Sequence, residues 1–380
     1  MKVHHARIMA GYAASNASLL RRLGVALGDP AAWIKLDDRK IALVRDLEMD
    51  RVRAASNADK VTCPAKHAPP TGLSVDRETA TAEAATQIFR AAKVEVVTTD
   101  RTLPFIFAWH LQQAEIIVKY DDDYGVIDRR SKTEHEIEYL KTAQGYTETV
   151  MRTVLEMIAS ADTDDEGQLV HQGEVMTSES VKQFAAVEFL KLGCNLLHGA
   201  IVATAPEVAD CHHSGTGPLR SGTPIIVDLF PRVDATRYWG DCTRTVVHGD
   251  VPETVGRMHA AVVEAKKAAI DELVAGNTAD AVHKASDQKL IDHGFEISRG
   301  TITDEPSIQH GTGHGIGLEL HEPILLDYGG GEMLAGEVFT VEPGLYGRKT
   351  GGVRIEDMLV VTESKPISLN SLPDGLDWRK

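Results

Sequence analysis

Over residues 31–120, short apolar runs alternate with longer amphipathic ones. Two runs, Ala-Trp-Ile-Lys-Leu and Lys-Ile-Ala-Leu-Val-Arg, flank the acidic pair Asp37-Asp38, which is the pattern of a β-hairpin. An alanine-rich stretch at 81–92 predicts a helix and 94–99 a strand. A further helix should begin near Pro104, whose ring suits a first helical turn, and a strand should follow at 115–120. The alternation implies a small α/β unit, and no group of residues within it has a catalytic composition. A polar stretch from Asp121 to Ser131 marks a boundary, giving an N-terminal α/β domain at 1–126 and a second domain at 127–380.

Ser131-Lys-Thr-Glu134 has the spacing of a capping box and predicts the start of a long helix. Ile137, Leu140, Tyr146, Val150, Val154 and Ile158 recur near the helical period, giving one buried face over about thirty residues, with a bend at Gly145. A second helix is expected at 178–192, and the remainder of the chain is expected to be β-rich.

Composition narrows the function classes. A chain of 380 residues has room for two domains. Its net charge of -16, from 40 Lys+Arg against 56 Asp+Glu, opposes binding to phosphate backbones, so no nucleic-acid partner is expected. The four cysteines, Cys63, Cys194, Cys211 and Cys242, form no CxxC pair, which favours reduced thiols in the cytoplasm. No segment reaches the roughly 18 apolar residues of a membrane span, and the first thirty residues lack the pattern of a secretory leader.

Candidate chemistry centres on residues 311–322, Gly-Thr-Gly-His-Gly-Ile-Gly-Leu-Glu-Leu-His-Glu. Glycines at 311, 313, 315 and 317 leave room beside His314 for a metal ion or a substrate. The plainer alternative is a glycine-rich turn with two solvated histidines, His314 and His321. Asp228 lies between Ile226-Val227 and Leu229-Phe230, so it is expected to be buried, and a buried carboxylate needs a partner. If the run containing Asp228 forms a hairpin with the next, turning at Asp234-Ala235, then Asp241 falls directly opposite Asp228 on the same face. The bland alternative pairs one aspartate with Arg244 or Arg237 and leaves the other exposed. Glu342, on the face of Thr340, and Glu356, on the face of Arg354 and Met358, add two more carboxylates in apolar strands. Acidic groups are seldom buried unless paired, so four of them with one glycine-framed histidine favour a metal cluster. Carboxylate-rich ligation without thiolates suits manganese or cobalt, with zinc or iron as alternatives, and bridging carboxylates imply two ions.

Asp228, Asp241 with Thr243-Arg244-Thr245, His310-Gly-Thr-Gly-His314, His321-Glu, Glu342-Pro-Gly and Arg354-Ile-Glu356-Asp together resemble the pita-bread metallopeptidases, the group of methionine aminopeptidase, aminopeptidase P and prolidase. The resemblance spans residues 198–360, and the front domain is similar to that of the aminopeptidase P and prolidase branch. It implies an α+β fold, with a pita-bread domain preceded by a smaller α/β creatinase-type domain. It also implies two divalent metal ions held by Asp228, Asp241, His314, Glu342 and Glu356, with Glu342 also accepting the proton of the attacking water. His212, with His213 as its rival, and His321 are implied to contact the substrate and the tetrahedral intermediate. Arg354 is implied to steady a carboxylate ligand beside the substrate, while His310 is either a substrate contact or structural. Histidines 4, 5, 171, 248, 259, 283 and 293 are taken as surface or ordinary packed residues. The expected activity is hydrolysis of the N-terminal bond of short peptides, chiefly Xaa-Pro, by a cytoplasmic homodimer. Two departures stand out: a slightly long loop between Asp228 and Asp241, and a Trp-Gly pair just before Asp241. The competing readings are a creatinase-like hydrolase, which uses the same fold without metals, and a non-catalytic binding module.

Overall fold

The computed structural model describes residues 5–379, and these divide into two compact units between Arg129 and Arg130. In the first, the strands are β1 (Ala6–Tyr12), β2 (Pro30–Leu36), β3 (Arg39–Leu43), β4 (Lys60–Thr62), β5 (Val96–Thr99) and β6 (Ile117–Tyr120). They form one sheet in the order β4-β3-β2-β1-β5-β6. β2 and β3 are joined by the tight turn at Asp37-Asp38, with Leu36 paired to Arg39. Helix α1 (Ala17–Leu23) follows β1, α2 (Met49–Ala55) follows β3, and α3 (Arg77–Ala91) and α4 (Phe105–Gln113) flank β5. Pro104 is the cap of α4 and not part of its first turn. The central strand β1, where Ile8, Met9 and Ala10 are fully buried, lies upstream of the region in which elements were expected.

The second unit opens with α5 (Glu134–Ala159). Its cap is Thr133, two residues beyond the expected Ser131: the Thr133 hydroxyl accepts from the Glu136 amide and the Glu136 carboxylate accepts from the Thr133 amide. Ser131 is displaced from this role because the neighbouring Lys132 is already committed, its amide donating to Gly336 O and its ammonium to Glu322 in a buried pair at 2.8 Å. Such a cap contributes about 1 kcal/mol. The helix runs unbroken over Gly145 for 26 residues and buries Leu140, Val150, Val154 and Ile158, with Tyr146 and Ile137 partly covered. Helix α6 (Ser178–Lys191) packs beside it.

Strands β7 (Ala200–Ala203), β8 (Pro224–Leu229) and β9 (Cys242–Val247) form an antiparallel sheet in that order. The next segment corrects the expectation of a β-rich remainder, because two helices, α7 (Glu253–Glu272) and α8 (Ala279–Asp292), intervene. Val255, Met258, Val262, Ala265 and Ala269 form the buried stripe of α7. Much of that seam is alanine, whose small apolar surface leaves a weak periodic signal. Among the described residues, no helix is long and apolar enough to cross a membrane.

Two further sheets of this unit lie toward the C-terminus. Strands β10 (Glu296–Ile297), β11 (Ser307–Ile308), β15 (Gly344–Gly347) and β16 (Gly351–Arg354) form one in that order. The other, built from β12 (Gly313–Gly315), β13 (Glu322–Leu326), β14 (Val338–Val341), β17 (Asp357–Val360) and β18 (Ile367–Ser368), has the order β13-β12-β14-β17-β18. His314, Glu342 and Glu356 lie in or beside strands of these two sheets, and Asp228 and Asp241 in and beside the β7-β8-β9 sheet.

Candidate metal centre

Asp228 stands in the middle strand of the β7-β8-β9 sheet, buried at 8% exposure, and its cross-strand partner is Thr243, not Asp241. The hairpin is real but its turn is centred one residue later than expected. Val233 N donates to Tyr238 O, and Arg237, at a positive φ of 69°, closes a four-residue loop. Asp241 therefore lies diagonally from Asp228, directly before β9 and still on the same face. Gln144 of α5 clamps its backbone on both sides, donating to Asp241 O at 2.7 Å and accepting from its amide at 2.9 Å.

His314 lies in β12, its amide bonded to Thr340 Oγ1. Its Nδ1 meets the carbonyl of Gly315 at 3.1 Å, and a carbonyl can only accept, so Nδ1 carries the proton. Nε2 is left to face Asp241 at 3.7 Å and Glu342 at 3.6 Å. Burial, with His321 adding to it, pushes the His314 pKa down to about 3, so the ring is a neutral donor of one lone pair. Glu342 follows the end of β14, with its amide bonded to Thr312 O. Glu356 sits between β16 and β17, accepting from Thr243 Oγ1 at 2.7 Å. Ligand atoms of Asp241, His314 and Glu356 all lie within 4.8 Å of one another.

The alternative that paired one of the two aspartates with Arg244 or Arg237 and left the other exposed does not hold, since both are buried. Arg244 binds Asp357 at 2.7 Å, and it is Arg354 that meets Asp228 Oδ2 at 2.7 Å. Asp228 Oδ1 is buried without a hydrogen-bond partner. Burial, then the neighbouring carboxylates, raises Asp241 and Glu356 well above the usual carboxylate range. In Glu342 burial and Asp228 outweigh the opposing Arg354 and push the pKa up to about 7. An orphaned carboxylate oxygen, four converging acids and a neutral imidazole lone pair are a donor set that divalent cations would satisfy.

These groups line a cavity of about 530 Å³ whose wall also holds His198, His212, His310, His321, Phe230 and Asp327. His321 packs edge-on against His314, with ring centroids 4.2 Å apart. His212 faces the cavity, whereas His213 turns its Nδ1 to the amide of Gly215. His310 has both ring nitrogens engaged, Nδ1 with Gly311 O and Nε2 with the hydroxyl of Tyr346, which in turn accepts from Arg354. His198, missed on sequence grounds, stacks on Trp239 at 5.1 Å and 12°. The Trp-Gly pair that looked like a mere departure thus supports the cavity wall, since Trp239 also donates to Leu318 O. Gln144 and Asp327 were also missed, because a lone amide on a helix face and a lone aspartate after a strand carry no local signal.

A family model described as Metallopeptidase family M24 matches residues 138–363. The chain belongs to metallopeptidase family M24. Among its relatives in the family, an Xaa-Pro dipeptidase of Pyrococcus furiosus is 33% identical over 147 residues, 38% of this chain and 39% of that protein. The matches span 60% or less of the length of the curated relatives compared. Solved structures are similar over nearly the whole chain. A prolidase from Pyrococcus horikoshii OT3 matches with a TM-score of 0.76 at 21% identity, covering 98% of this chain and 95% of that one. An Xaa-Pro dipeptidase from Bacillus anthracis matches with a TM-score of 0.80 at 19% identity, covering 98% and 94%. These likenesses establish the fold: the expected pita-bread domain with a smaller domain before it.

The charge buried in this M24 cavity has a measurable consequence. Burial pushes the Glu342 pKa up from the ordinary 4.5 to about 7, so without metal the folded state is expected to bind more protons than the unfolded one between those values. That contribution to stability therefore falls as pH rises through the window. Metal-free protein should show a lower Tm at pH 7.5 than Glu342→Gln measured at the same pH, with the gap closing toward pH 5. Thermal unfolding of both proteins in chelator across this range checks it, and a constant gap would contradict it.

Proposed function

We propose that the chain is a two-metal peptidase that removes the first residue of short peptides, with proline preferred in the second position. The observation that carries this reading is the convergence of Asp228, Asp241, His314, Glu342 and Glu356 on one cavity, with three of them mutually within 4.8 Å. These five residues would hold two divalent ions, with manganese or cobalt favoured by the oxygen-rich set and zinc or iron next. When bound, the ions supply an acidified water and polarise the scissile carbonyl.

The remaining work falls to side chains of the protein. Glu342 takes the proton of the attacking water at its carboxylate and passes it toward the leaving amine. Arg354 fixes the orientation of Asp228 through its bond to Oδ2. His212 and His321, both in the cavity wall, stand where an imidazole N–H can meet negative charge developing on the substrate. His310 acts through Tyr346, the hydroxyl it is bonded to and to which Arg354 also donates, and not on the peptide. A proline amide has no N–H, so a site that leaves that position unpaired is not penalised by it, whereas an ordinary amide would strand a donor there, which would give Xaa-Pro bonds a physical advantage. The prolidase and Xaa-Pro dipeptidase names of similar proteins support the same substrate class. A cytoplasmic homodimer completes the proposal. Four cysteines stand free, three of them buried, in keeping with a reducing compartment.

Creatinase-like hydrolysis without metal and a non-catalytic binding role are both disfavoured, because all five ligand positions carry ligand side chains and converge on one cavity. With manganese or cobalt supplied, kcat/KM should be higher for Ala-Pro-Ala than for Met-Ala-Ser, and the reverse order would overturn the proline preference. His321→Ala should keep its metal while kcat falls by about 10²-fold. Loss of metal in that variant would make His321 a ligand and not a contact to the intermediate.

A further inference from the structure

The cavity wall carries one acidic group outside the metal cluster, Asp327, immediately after β13. It is held in place: Arg299 grips both carboxylate oxygens at 2.7 and 3.1 Å, and the Tyr328 amide donates to Oδ1 at 2.6 Å. Arg299 is itself fixed against His283 Nε2 at 2.7 Å and over the ring of Tyr328 at 4.9 Å. Burial raises the Asp327 pKa, but the Arg299 bonds outweigh it and hold the carboxyl below its ordinary value, so Asp327 is ionised at neutral pH. It also presses on the glycine-rich segment, because a Cβ on Gly311 would lie 3.1 Å from its carboxylate.

Among the described residues, Arg354 is the single lysine or arginine in the cavity wall, and its guanidinium is already engaged. It donates to Thr243 Oγ1, to Cys211 O, to the Tyr346 hydroxyl and to Asp228. The rest of the wall away from the metal cluster includes the apolar side chains of Ile201, Phe230, Leu320 and Leu325.

This wall bears on what can follow the cleaved bond. In a dipeptide the residue after that bond ends in a carboxylate, whereas in a longer or amidated peptide the same position is a neutral amide. A carboxylate drawn from water into such a cavity needs a cationic partner, and here it would meet the carboxylate end of the Asp327–Arg299 pair, whose cation lies outside the wall, and a guanidinium already bound. We infer that Asp327 is a specificity residue that turns the site against dipeptides and toward peptides that continue past the second residue or end in an amide. The inference rests on the peptidase reading above and narrows its substrate class to an aminopeptidase pattern.

The test measures kcat/KM of the metal-loaded full chain on Ala-Pro, Ala-Pro-amide and Ala-Pro-Ala, in the native protein and in Asp327→Asn and Leu325→Lys. Expected for the native protein is a preference of about tenfold or more for the amide and the tripeptide over Ala-Pro. Both variants should narrow the amide-to-acid ratio by about threefold or more, one by removing an anion and the other by adding a cation to the same wall. Leu325 is 53% exposed, so its replacement tests the idea even if Asp327→Asn does not fold. Ala-Pro cleaved as well as its amide by the native protein would overturn the inference and leave the peptidase reading standing. An unchanged ratio in folded variants would also overturn it, as would a uniform loss on all three peptides in Asp327→Asn, which would place that carboxylate on the substrate amine. Failure to cleave any of the three with metal bound would remove the peptidase reading and this inference with it.

Discussion

Asp228, Asp241, Glu342 and Glu356 are gathered in one cavity around the neutral imidazole of His314, with a single guanidinium, Arg354, to set against four acidic groups. A protein interior does not tolerate that imbalance without protonation or bound cations, because burying unpaired charge costs far more than a fold can spare. The raised pKa values of Asp241, Glu342 and Glu356 express the first remedy, and divalent cations would supply the second. The architecture of the C-terminal unit follows from the need to hold these groups in place despite their repulsion.

That support comes from every layer around the site. Gln144 reaches from α5 to fix the backbone of Asp241, and Thr243 holds Glu356 through its hydroxyl. His283 of α8 meets Thr312 Oγ1 at 2.8 Å, and the carbonyl of Thr312 receives the Glu342 amide. Behind Glu356, the buried Arg244 donates to its carbonyl at 2.6 Å and also binds Asp357, Leu372 O and Pro373 O. Lys266 of α7 joins the same group through Asp357 and Asp374. The helix that sequence periodicity failed to reveal is thus tied directly to the segment carrying a candidate ligand.

What could be read from sequence, and what could not, follows from how local each signal is. A carboxylate inside an apolar strand, as at Asp228, is visible because its neighbours predict burial, and the packed glycines around His314 are visible for the same reason. The hairpin was visible, but its register was not, since a turn centred one residue later shifts the partner of Asp228 from Asp241 to Thr243. Thr133 displaced Ser131 as the helix cap because Lys132 is held by Gly336 and Glu322, contacts about two hundred residues distant. The strand β1 offers Ile8 and Met9 among alanines and Gly11, too little alternation to read as the centre of a sheet. His198 and Asp327 join the cavity wall only through tertiary packing, and nothing beside them in the chain marks them.

The account stands on the carboxylate cluster as a site for two cations. Its most direct test is calorimetric titration of metal-free protein with manganese or cobalt, paired with elemental analysis of the loaded native chain and of Asp228→Ala and Glu356→Ala. The account predicts two ions per native chain, with loss of two-ion binding and of peptide hydrolysis in both variants. Full metal occupancy in either variant, or a native chain that binds no divalent ion, would contradict it.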